Sequence, residues 1–291
     1  RLINLIIPIF PSFIFKNYEL TKHVVSIVVT GSTFIIVFLG YTNARNPRIK
    51  NLTLKINKKA DTLKTLTVAV ASDIHLGTII CKSRLEKIVD KINALNADIV
   101  LLPGDVVDED IGPVIKQNLG ETLRKIKSLY GVYAITGNHE YIGGVEPACK
   151  YLIEHGMVEL RDSYIKIAES FYVIGREDRS IKSFASKIRR PLEKIMDGID
   201  KSLPIILMDH QPVKLEEAEK NEVDLQLSGH THHGQLWPFN FITKKVYELS
   251  WGLIKRGSTN YYVSCGVGTW GPPIRTGNRP EIIYLNLDFE N

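Results

Sequence analysis

Two histidines separated by a single residue, His230 and His232, follow an apolar run in the stretch 227–235, which reads LSGHTHHGQ. Side chains two residues apart in an extended backbone project to the same side, so the two imidazoles are expected to approach one point. Gly229 lacks a Cβ and therefore allows a close approach of the backbone. Neutral imidazole is the commonest metal ligand among side chains. The spacing therefore predicts part of a metal site.

Four further groups of polar residues follow apolar runs elsewhere in the chain. Asp73 and His75 repeat the spacing of the histidine pair, so they too can face one centre. Any one such group is common by chance, but recurrence after five apolar runs indicates a shared site. The four groups and the runs that precede them are Asp73 and His75 after 66–71, Asp105 and Asp108 after 99–102, Asn138 and His139 after 132–135, and His210 after 204–208.

The apolar runs alternate with segments of helical periodicity, which is typical of α/β folds whose sheets are covered by helices. Residues 66–71 (LTVAVA) are almost continuously apolar, as in a strand that is buried on both faces. Residues 84–95 and 114–129 carry apolar side chains at helical spacing and predict two helices. Open α/β folds build their sites where strands end, and the polar groups stand at such positions.

Composition sets broader limits on the class of protein. The 291 residues are 44% apolar and 24% charged, close to the globular average, and suit one large domain with an appendage. The net charge of +5 is too small and too scattered to predict nucleic-acid binding, although it suits an anionic substrate. The three cysteines are far apart and form no CxxC pair, so neither a disulfide framework nor a thiolate metal site is expected.

An uncharged segment near the N-terminus, 24–41, is rich in Val, Ile and Phe. As a helix it would be about 27 Å long, which is about one hydrocarbon core, so we expect it to span the cell membrane. Residues 2–15 are too short and too interrupted by proline to span. The expected organisation is a membrane segment over 1–42, a linker over 43–50 and a catalytic domain over 51–291. Basic residues stand on both sides of the span, so orientation stays open, with a slight excess on the C-terminal side.

Five ordered blocks of the sequence resemble the signature of the calcineurin-like metallophosphoesterase superfamily. The resemblance runs from about residue 52 to the end of the chain. The tail 266–282 (GVGTWGPPIRTGNRPEI), together with the apolar N-terminal segment, is similar to a membrane-associated bacterial branch represented by YkuE. The five blocks are SDIHLG (72–77), GDVVD (104–108), GNHE (137–140), MDHQP (208–212) and SGHTHHGQ (228–235).

The resemblance implies a four-layer αββα sandwich of two mixed sheets flanked by helices, with a two-metal site along one edge. His139 would act as the acid beside the metals, and Asp108 would orient it by accepting a hydrogen bond. Seven side chains would hold the metals: Asp73, His75 and His232 the first, Asn138, His210 and His230 the second, and Asp105 both.

The implied site is chemically consistent with phosphoester hydrolysis. Two divalent cations opposed by two carboxylates and a bridging hydroxide leave a net charge of about +1, which still attracts a phosphate. The bridging hydroxide would attack in line, and a protonated His139 would neutralise the leaving oxygen. Mixed oxygen and imidazole ligands suit Mn, Fe, Zn or Co better than Mg or Ca, and family analogy puts Mn first.

Two further residues are predicted to bind substrate on weaker grounds. His233 follows His232 directly and would point the other way in an extended chain, so it is expected at the rim of the cleft and not on a metal. Arg275 is displayed by the proline-rich turn 271–275 (GPPIR) and is a suitable phosphate partner.

The leading hypothesis is a membrane-anchored phosphoesterase that uses two metals to hydrolyse phosphomonoester, phosphodiester or pyrophosphate bonds. The span points to a lipid or envelope substrate, such as a UDP-linked lipid A precursor or a phospholipid head group. The alternatives are a non-catalytic metal-binding scaffold or sensor on the same fold, a nuclease, and a transport or structural membrane protein. The complete ligand set and the His139–Asp108 pair favour catalysis.

Overall fold

Two six-stranded mixed sheets form the centre of the structure, which is a computed structural model describing residues 18–290. The first sheet has the spatial order β1 (Arg48–Ile56), β12 (Glu281–Phe289), β2 (Thr65–Val70), β3 (Ile99–Pro103), β4 (Val132–Ile135) and β5 (Val158–Glu159). The second has the order β10 (Gly252–Arg256), β11 (Thr259–Val263), β9 (Leu225–Ser228), β8 (Ile205–Met208), β7 (Phe171–Gly175) and β6 (Ser163–Ile167). The pairs β12–β2, β10–β11 and β6–β7 are antiparallel and the other pairs are parallel.

One long helix, Tyr18–Ala44, precedes β1, and the other helices of the described residues lie between strands in the chain. The predicted helix over 114–129 is two short helices instead, because Asn118 between them has a left-handed backbone (φ 51°) that interrupts the helix. The helices are α1 (Tyr18–Ala44), α2 (Lys82–Asn93), α3 (Gly112–Lys116), α4 (Leu119–Leu123), α5 (Asn138–Gly143), α6 (Val145–Glu154), α7 (Ile181–Ala185), α8 (Leu192–Ile195), α9 (Glu216–Lys220) and α10 (Asn240–Val246), with a 3₁₀ turn at His232–Gly234.

Alternation along the strands divides the interior into layers. In β3, Ile99 and Leu101 pack between the two sheets, whereas Val100 and Leu102 pack against the helices outside the first sheet. In β7, Val173 packs between the sheets and Ile174 packs toward the helices outside the second sheet. Successive side chains of a strand point to opposite faces, so near-continuous apolar strands supply both layers at once. The predicted four-layer α/β sandwich is confirmed.

Helix α1 contains the predicted span and extends beyond it at both ends. It is long and apolar enough to cross a membrane by length and composition, and most of its side chains are exposed. The apolar segment 2–15 lies outside the described residues. Only residues 45–47 separate α1 from β1, so the linker expected over 43–50 is shorter, because helix and strand both extend into it.

The C-terminal end of α1 packs on the loop that precedes β12. The backbone N–H of Arg275 donates to the carbonyl of Gly40 at 3.0 Å. The Asn43 side-chain amide donates to the carbonyls of Arg275 and Asn278, both at 2.8 Å. Gly40 lies so close to Ile274 that a Cβ at this position would overlap the Ile274 side chain. The end of the apolar helix is thereby attached to one specific loop of the sandwich.

Candidate metal centre

The predicted ligands converge where the strands of both sheets end. Strands β2, β3 and β4 are parallel neighbours, as are β8 and β9, so within each set the carboxyl ends share one edge. The backbone N–H of His230 donates to Asp73 Oδ1 at 2.8 Å and joins the two sheets at this edge. The groups stand as follows: Asp73 and His75 after β2, Asp105 and Asp108 after β3, Asn138 and His139 after β4, His210 after β8, and His230 and His232 after β9.

Asp73, His75 and His232 form one half of the centre. His232 Nε2 lies 3.0 Å from His75 Nε2 and 3.6 Å from Asp73 Oδ1, and all three residues are buried. One ligand atom from each lies within 4.8 Å of the other two. Asp73 Oδ2 is buried and has no hydrogen-bond partner among the described residues. An unpaired interior carboxylate oxygen is costly, so this oxygen fits contact with a cation.

Asn138, His210 and His230 form the other half, and Asp105 stands between the two. Asp105 Oδ2 lies 3.0 Å from His210 Nε2 and 3.9 Å from His75 Nε2. Asn138 Oδ1 lies 2.7 Å from His230 Nδ1 and 3.3 Å from His210 Nε2. Asp105, His210 and His230 offer ligand atoms within 4.8 Å of one another. Asp105 therefore lies between the two groups of side chains.

The charge states of these groups follow from their burial and their neighbours. Burial alone would raise the pKa of Asp105, but His210 and the other nearby imidazoles lower it well below its usual range. Burial, and then the neighbouring His75 and Arg275, hold the pKa of His232 well below its usual range. Burial, and then His210, lower the pKa of His230. Burial alone would lower the pKa of His210, but the Asp105 carboxylate raises it well above its ordinary value, so this ring must lose its proton to bind a metal. The Asp105 carboxylate and the imidazoles are a suitable set of ligands for a divalent metal.

His139 lies beside this centre and contacts Asp108. Nδ1 of His139 is 2.8 Å from Asp108 Oδ1, and its backbone N–H donates to Asp105 Oδ1 at 2.9 Å. Burial alone would lower the pKa of His139, but the Asp108 carboxylate and the charge of Asp105 raise it above its ordinary value. Asp108 Oδ1 also lies 3.3 Å from Nδ1 of His75. One carboxylate thus contacts both a predicted ligand and the predicted acid.

The backbone around the centre is unusual for residues that carry a Cβ. Asp73, His75 and Asp105 have φ of 52° to 54°, and His230 and His232 have φ of 69° and 45°. Such left-handed conformations are uncommon outside glycine and cluster at functional sites. The extended chain assumed for His230 and His232 is therefore wrong: their backbone turns, and the two rings face different halves of the centre.

Glycines allow the carboxylates to approach neighbouring backbone. A Cβ on Gly229 would overlap Asp73 Oδ2, and a Cβ on Gly137 would overlap Asp105 Oδ1. Neither glycine needs a positive φ, so the requirement here is space. The GNHE and SGHTH blocks therefore need glycine because a carboxylate occupies the position that a side chain would take.

Glu140 supports the loops that carry these side chains. Its carboxylate accepts backbone N–H groups of Asp105 at 3.2 Å, Val107 at 2.8 Å and Gly137 at 2.7 Å. The side chain is buried. Glu140 thereby fixes the backbone that carries Asp105 and Asn138. Its place two residues after Asn138, in the first turn of a helix, was the available signal.

The predicted rim position of His233 is wrong. His233 is buried, its Nδ1 lies 3.0 Å from Ser250 Oγ, and its ring packs against Trp251 with centroids 5.1 Å apart and the planes tilted by 42°. The cause is again the turned backbone, since His233 has a φ of 45° and not an extended conformation. This side chain contacts the two residues that precede β10 and does not line the cavity.

Arg275 is buried and does not reach the cavity, so the predicted contact with substrate is wrong. Its guanidinium donates to the carbonyl of Gly268, to Asn278 Oδ1, and at 3.0 Å to Nδ1 of His232. Arginine can only donate, so Nδ1 of His232 accepts, and the neutral ring carries its proton on Nε2. A cation bound at that nitrogen would displace the proton. Arg275 therefore acts on His232 and not on a phosphate.

A cavity of about 520 Å³ opens above the centre. Its floor includes Asp105, Asn138 and His139, and its walls are apolar. The sequence analysis did not identify these walls, although the run 236–242 (LWPFNFI), rich in large apolar residues, was a signal. The wall residues include Ile142, Leu236, Phe239, Ile242, Trp270 and Pro272.

The chain resembles known metallophosphoesterases over most of its length. Residues 66–234 match the family model described as calcineurin-like phosphoesterase. An uncharacterized metallophosphoesterase of Helicobacter pylori J99 is 35% identical over 265 residues, covering 87% of this chain and 69% of that protein. A Danio rerio transmembrane protein with metallophosphoesterase domain is 31% identical over 271 residues, covering 88% of this chain and 61% of that protein. An uncharacterized metallophosphoesterase of Aquifex aeolicus is 30% identical over 261 residues, covering 87% of this chain and 98% of that protein.

The match to the family model, the similarity to these relatives and the clusters of Asp and His that could hold metal ions all agree. The chain therefore belongs to the calcineurin-like phosphoesterase family and is a metal-dependent phosphoesterase.

Proposed function

We propose that the chain is a membrane-anchored phosphoesterase that works with two divalent cations, one in each half of the centre, and hydrolyses phosphomonoester, phosphodiester or pyrophosphate bonds. The observation that carries the proposal is the position of Asp105 between two separate sets of ligands. The catalytic domain would extend from about residue 51 to the end of the chain, with α1 as the anchor. The resemblance to the YkuE branch and the transmembrane relative support the anchor.

Seven residues would hold the cations: Asp73, His75 and His232 on one side, Asn138, His210 and His230 on the other, and Asp105 on both. Their oxygen and imidazole atoms suit Mn, Fe, Zn or Co, with Mn the first choice. Bound cations would supply Lewis acidity and activate water for attack on phosphorus.

The remaining chemistry falls to residues of the chain itself. His139 lines the cavity and holds Nδ1 against Asp108, which leaves Nε2 as the ring nitrogen available to a bound phosphoester. Its raised pKa favours the imidazolium, which would protonate the leaving oxygen. The apolar walls would exclude bulk water from the ester and strengthen its electrostatic contacts.

The test uses the full chain in detergent with added Mn²⁺, assayed on p-nitrophenyl phosphate and bis-p-nitrophenyl phosphate. The Asp105→Asn, His139→Ala double variant sets the background. We expect metal-dependent turnover well above that background, and two metal ions per chain by mass spectrometry. Turnover that does not exceed the background would refute the proposal. Full metal occupancy without hydrolysis would favour the scaffold or sensor, and preferential cleavage of oligonucleotides would favour the nuclease.

A further inference from the structure

The mouth of the cavity carries an exposed apolar surface. We define the apolar rim as Trp237, Phe239, Phe241, Ile242, Val246 and Trp270. Each is exposed, and helix α10, which supplies three of them, has no buried residue. Large apolar side chains grouped beside a cavity are typical of a binding surface, because a free surface of this kind is costly in water.

The apolar rim is attached to the end of α1 by a short series of contacts. The Gln235 side chain donates to the carbonyl of Trp270 at 2.7 Å, and the backbone carbonyl of Gln235 accepts the backbone N–H of Thr276 at 3.1 Å. The backbone N–H of Trp237 donates to Thr276 Oγ1 at 3.0 Å. Thr276 is the residue after Arg275, whose backbone N–H donates to the carbonyl of Gly40. The rim therefore lies close to the point where α1 joins the domain.

Basic and aromatic side chains are mixed on this surface as they are at a membrane interface. Lys244 and Lys245 are exposed on the last turn of α10, next to Val246. Tryptophan residues concentrate at the level of the lipid head groups, and lysines beside them are attracted to anionic lipids. Helix α10 is short, so its apolar and basic residues suit contact with a surface and not a crossing of the bilayer.

We propose that the apolar rim lies in the leaflet from which α1 emerges, and that the cavity takes an amphiphilic phosphoester directly from that leaflet. The hydrocarbon of the substrate would contact Phe239, Ile242 and Trp270, which line the cavity, while its phosphate reaches the floor at Asp105 and His139. The choice of lipid as occupant depends on the contacts with α1, since they fix the rim beside the bilayer. This substrate class rests on the proposed hydrolysis, and the membrane contact rests on the proposed anchoring by α1 and not on hydrolysis.

Fluorescence tests the membrane contact without any turnover. The chain has three tryptophans, and Trp251 is the one outside the rim, packed on His233. The full chain is reconstituted in phosphatidylcholine vesicles whose acyl chains are brominated. We expect strong quenching of the native protein and at least about threefold weaker quenching of the W237F/W270F variant, because only the rim tryptophans would reach the quencher. The proposal would be overturned if aqueous iodide quenches the fluorescence and bromolipid does not. It would also be overturned if neither quenches it, as when a second copy of the chain covers the rim.

Hydrolysis tests the substrate class. Vesicle-bound dioleoyl phosphatidic acid and a long-chain polyprenyl diphosphate are each compared with a short-chain, water-soluble analogue. The W237S/F241S/V246S variant is expected to lose about 10-fold on the long-chain substrates, since it removes apolar contacts with the leaflet, and to keep its rate on p-nitrophenyl phosphate. I188S, at an exposed apolar residue outside the rim, is the matched control and should change neither rate.

The outcomes separate the two proposals. Two results would overturn the amphiphilic substrate even if bromolipid quenches the native protein. One is that the native protein hydrolyses the long-chain and short-chain substrates at equal rates. The other is that the W237S/F241S/V246S variant loses the same fraction of its rate on both. Hydrolysis of p-nitrophenyl phosphate but of neither lipid would also overturn the amphiphilic substrate. No metal-dependent hydrolysis of any compound refutes the proposed function, and the quenching result then decides the membrane contact alone.

Discussion

Oδ1 of Asp108 lies 2.8 Å from Nδ1 of His139, and the same oxygen lies 3.3 Å from Nδ1 of His75. The carboxylate favours a proton on Nδ1 of His75, whose Nε2 faces the centre, as partners of metal-bound histidines commonly do, and it forms an ion pair with a protonated His139. Asp108 therefore connects the predicted acid with a predicted ligand. This contact with His75 goes beyond the single role expected from the sequence.

Replacing Asp108 with Asn is expected to lower kcat about 10- to 100-fold, because it removes the charge that orients His139 and favours its imidazolium. Steady-state kinetics with saturating Mn²⁺ measure the effect. Asp90→Asn, at an exposed carboxylate on α2, is the control and should leave kcat unchanged. A kcat for Asp108→Asn within twofold of the native value would contradict the role.

His232→Ala and His230→Ala should each remove one of the two metal ions, because the two rings face different halves of the centre. Mass spectrometry of the purified variants is expected to find about one ion per chain in place of two. His233→Ala is the matched control. It should keep both ions while losing about 1 kcal/mol of folding stability, since His233 forms a hydrogen bond with Ser250 and packs against Trp251. Loss of a metal ion from the His233 variant would refute this division of roles.

The positions of the predicted ligands could be read from the sequence, but the directions of some side chains could not. Apolar runs such as 99–102 mark buried strands, and in an α/β sandwich the polar residues after them must gather at one edge. The local backbone is different, because contacts distant in sequence set it. The Asp73 carboxylate holds the backbone of His230, 157 residues away, and His233 then turns toward Trp251.

Burial of charge and exposure of apolar residues explain the other differences. Arg275 resembled a surface phosphate ligand because its buried partners, the carbonyl of Gly268 and the ring of His232, are recognisable only in the folded chain. The residues of α10 show the opposite case. Phe241 and Ile242 are apolar but exposed, so their sequence pattern indicated neither a strand nor a core helix. Hydrophobic periodicity identifies core faces, so it does not identify an apolar surface outside the core.

Gly229→Ala is expected to lower the metal affinity of the Asp73 half at least about 10-fold, because the added methyl group overlaps Asp73 Oδ2. Titration of the metal-depleted protein with Mn²⁺, followed by calorimetry, measures the loss. Gly77→Ala is the matched control at the same edge, where a Cβ would lie 3.5 Å from Asp108 Cβ, an ordinary contact. Equal affinities of the two variants would show that the close approach at Gly229 is not required.

Glu159 gives the folded domain a pH dependence that is independent of the metals. Burial is the main cause that raises the pKa of its carboxyl from 4.5 to about 7, and Cys149 Sγ donates to it at 2.9 Å. The raised pKa means that the folded state holds a proton which the unfolded state releases. Its contribution to stability is therefore complete below about pH 4.5 and is lost as pH rises to about 7.

Replacing Glu159 with Gln should remove this loss, because an amide does not ionise. Between pH 5 and 8 the native protein is expected to lose up to about 3 kcal/mol of folding stability more than the variant does. Urea unfolding of metal-depleted protein in detergent, followed by circular dichroism at both pH values, measures the difference. Glu154→Gln, at an exposed acid at the end of α6, is the control and should follow the native protein. Parallel pH profiles for the native protein and Glu159→Gln would mean that Glu159 ionises at its ordinary pKa in the folded domain.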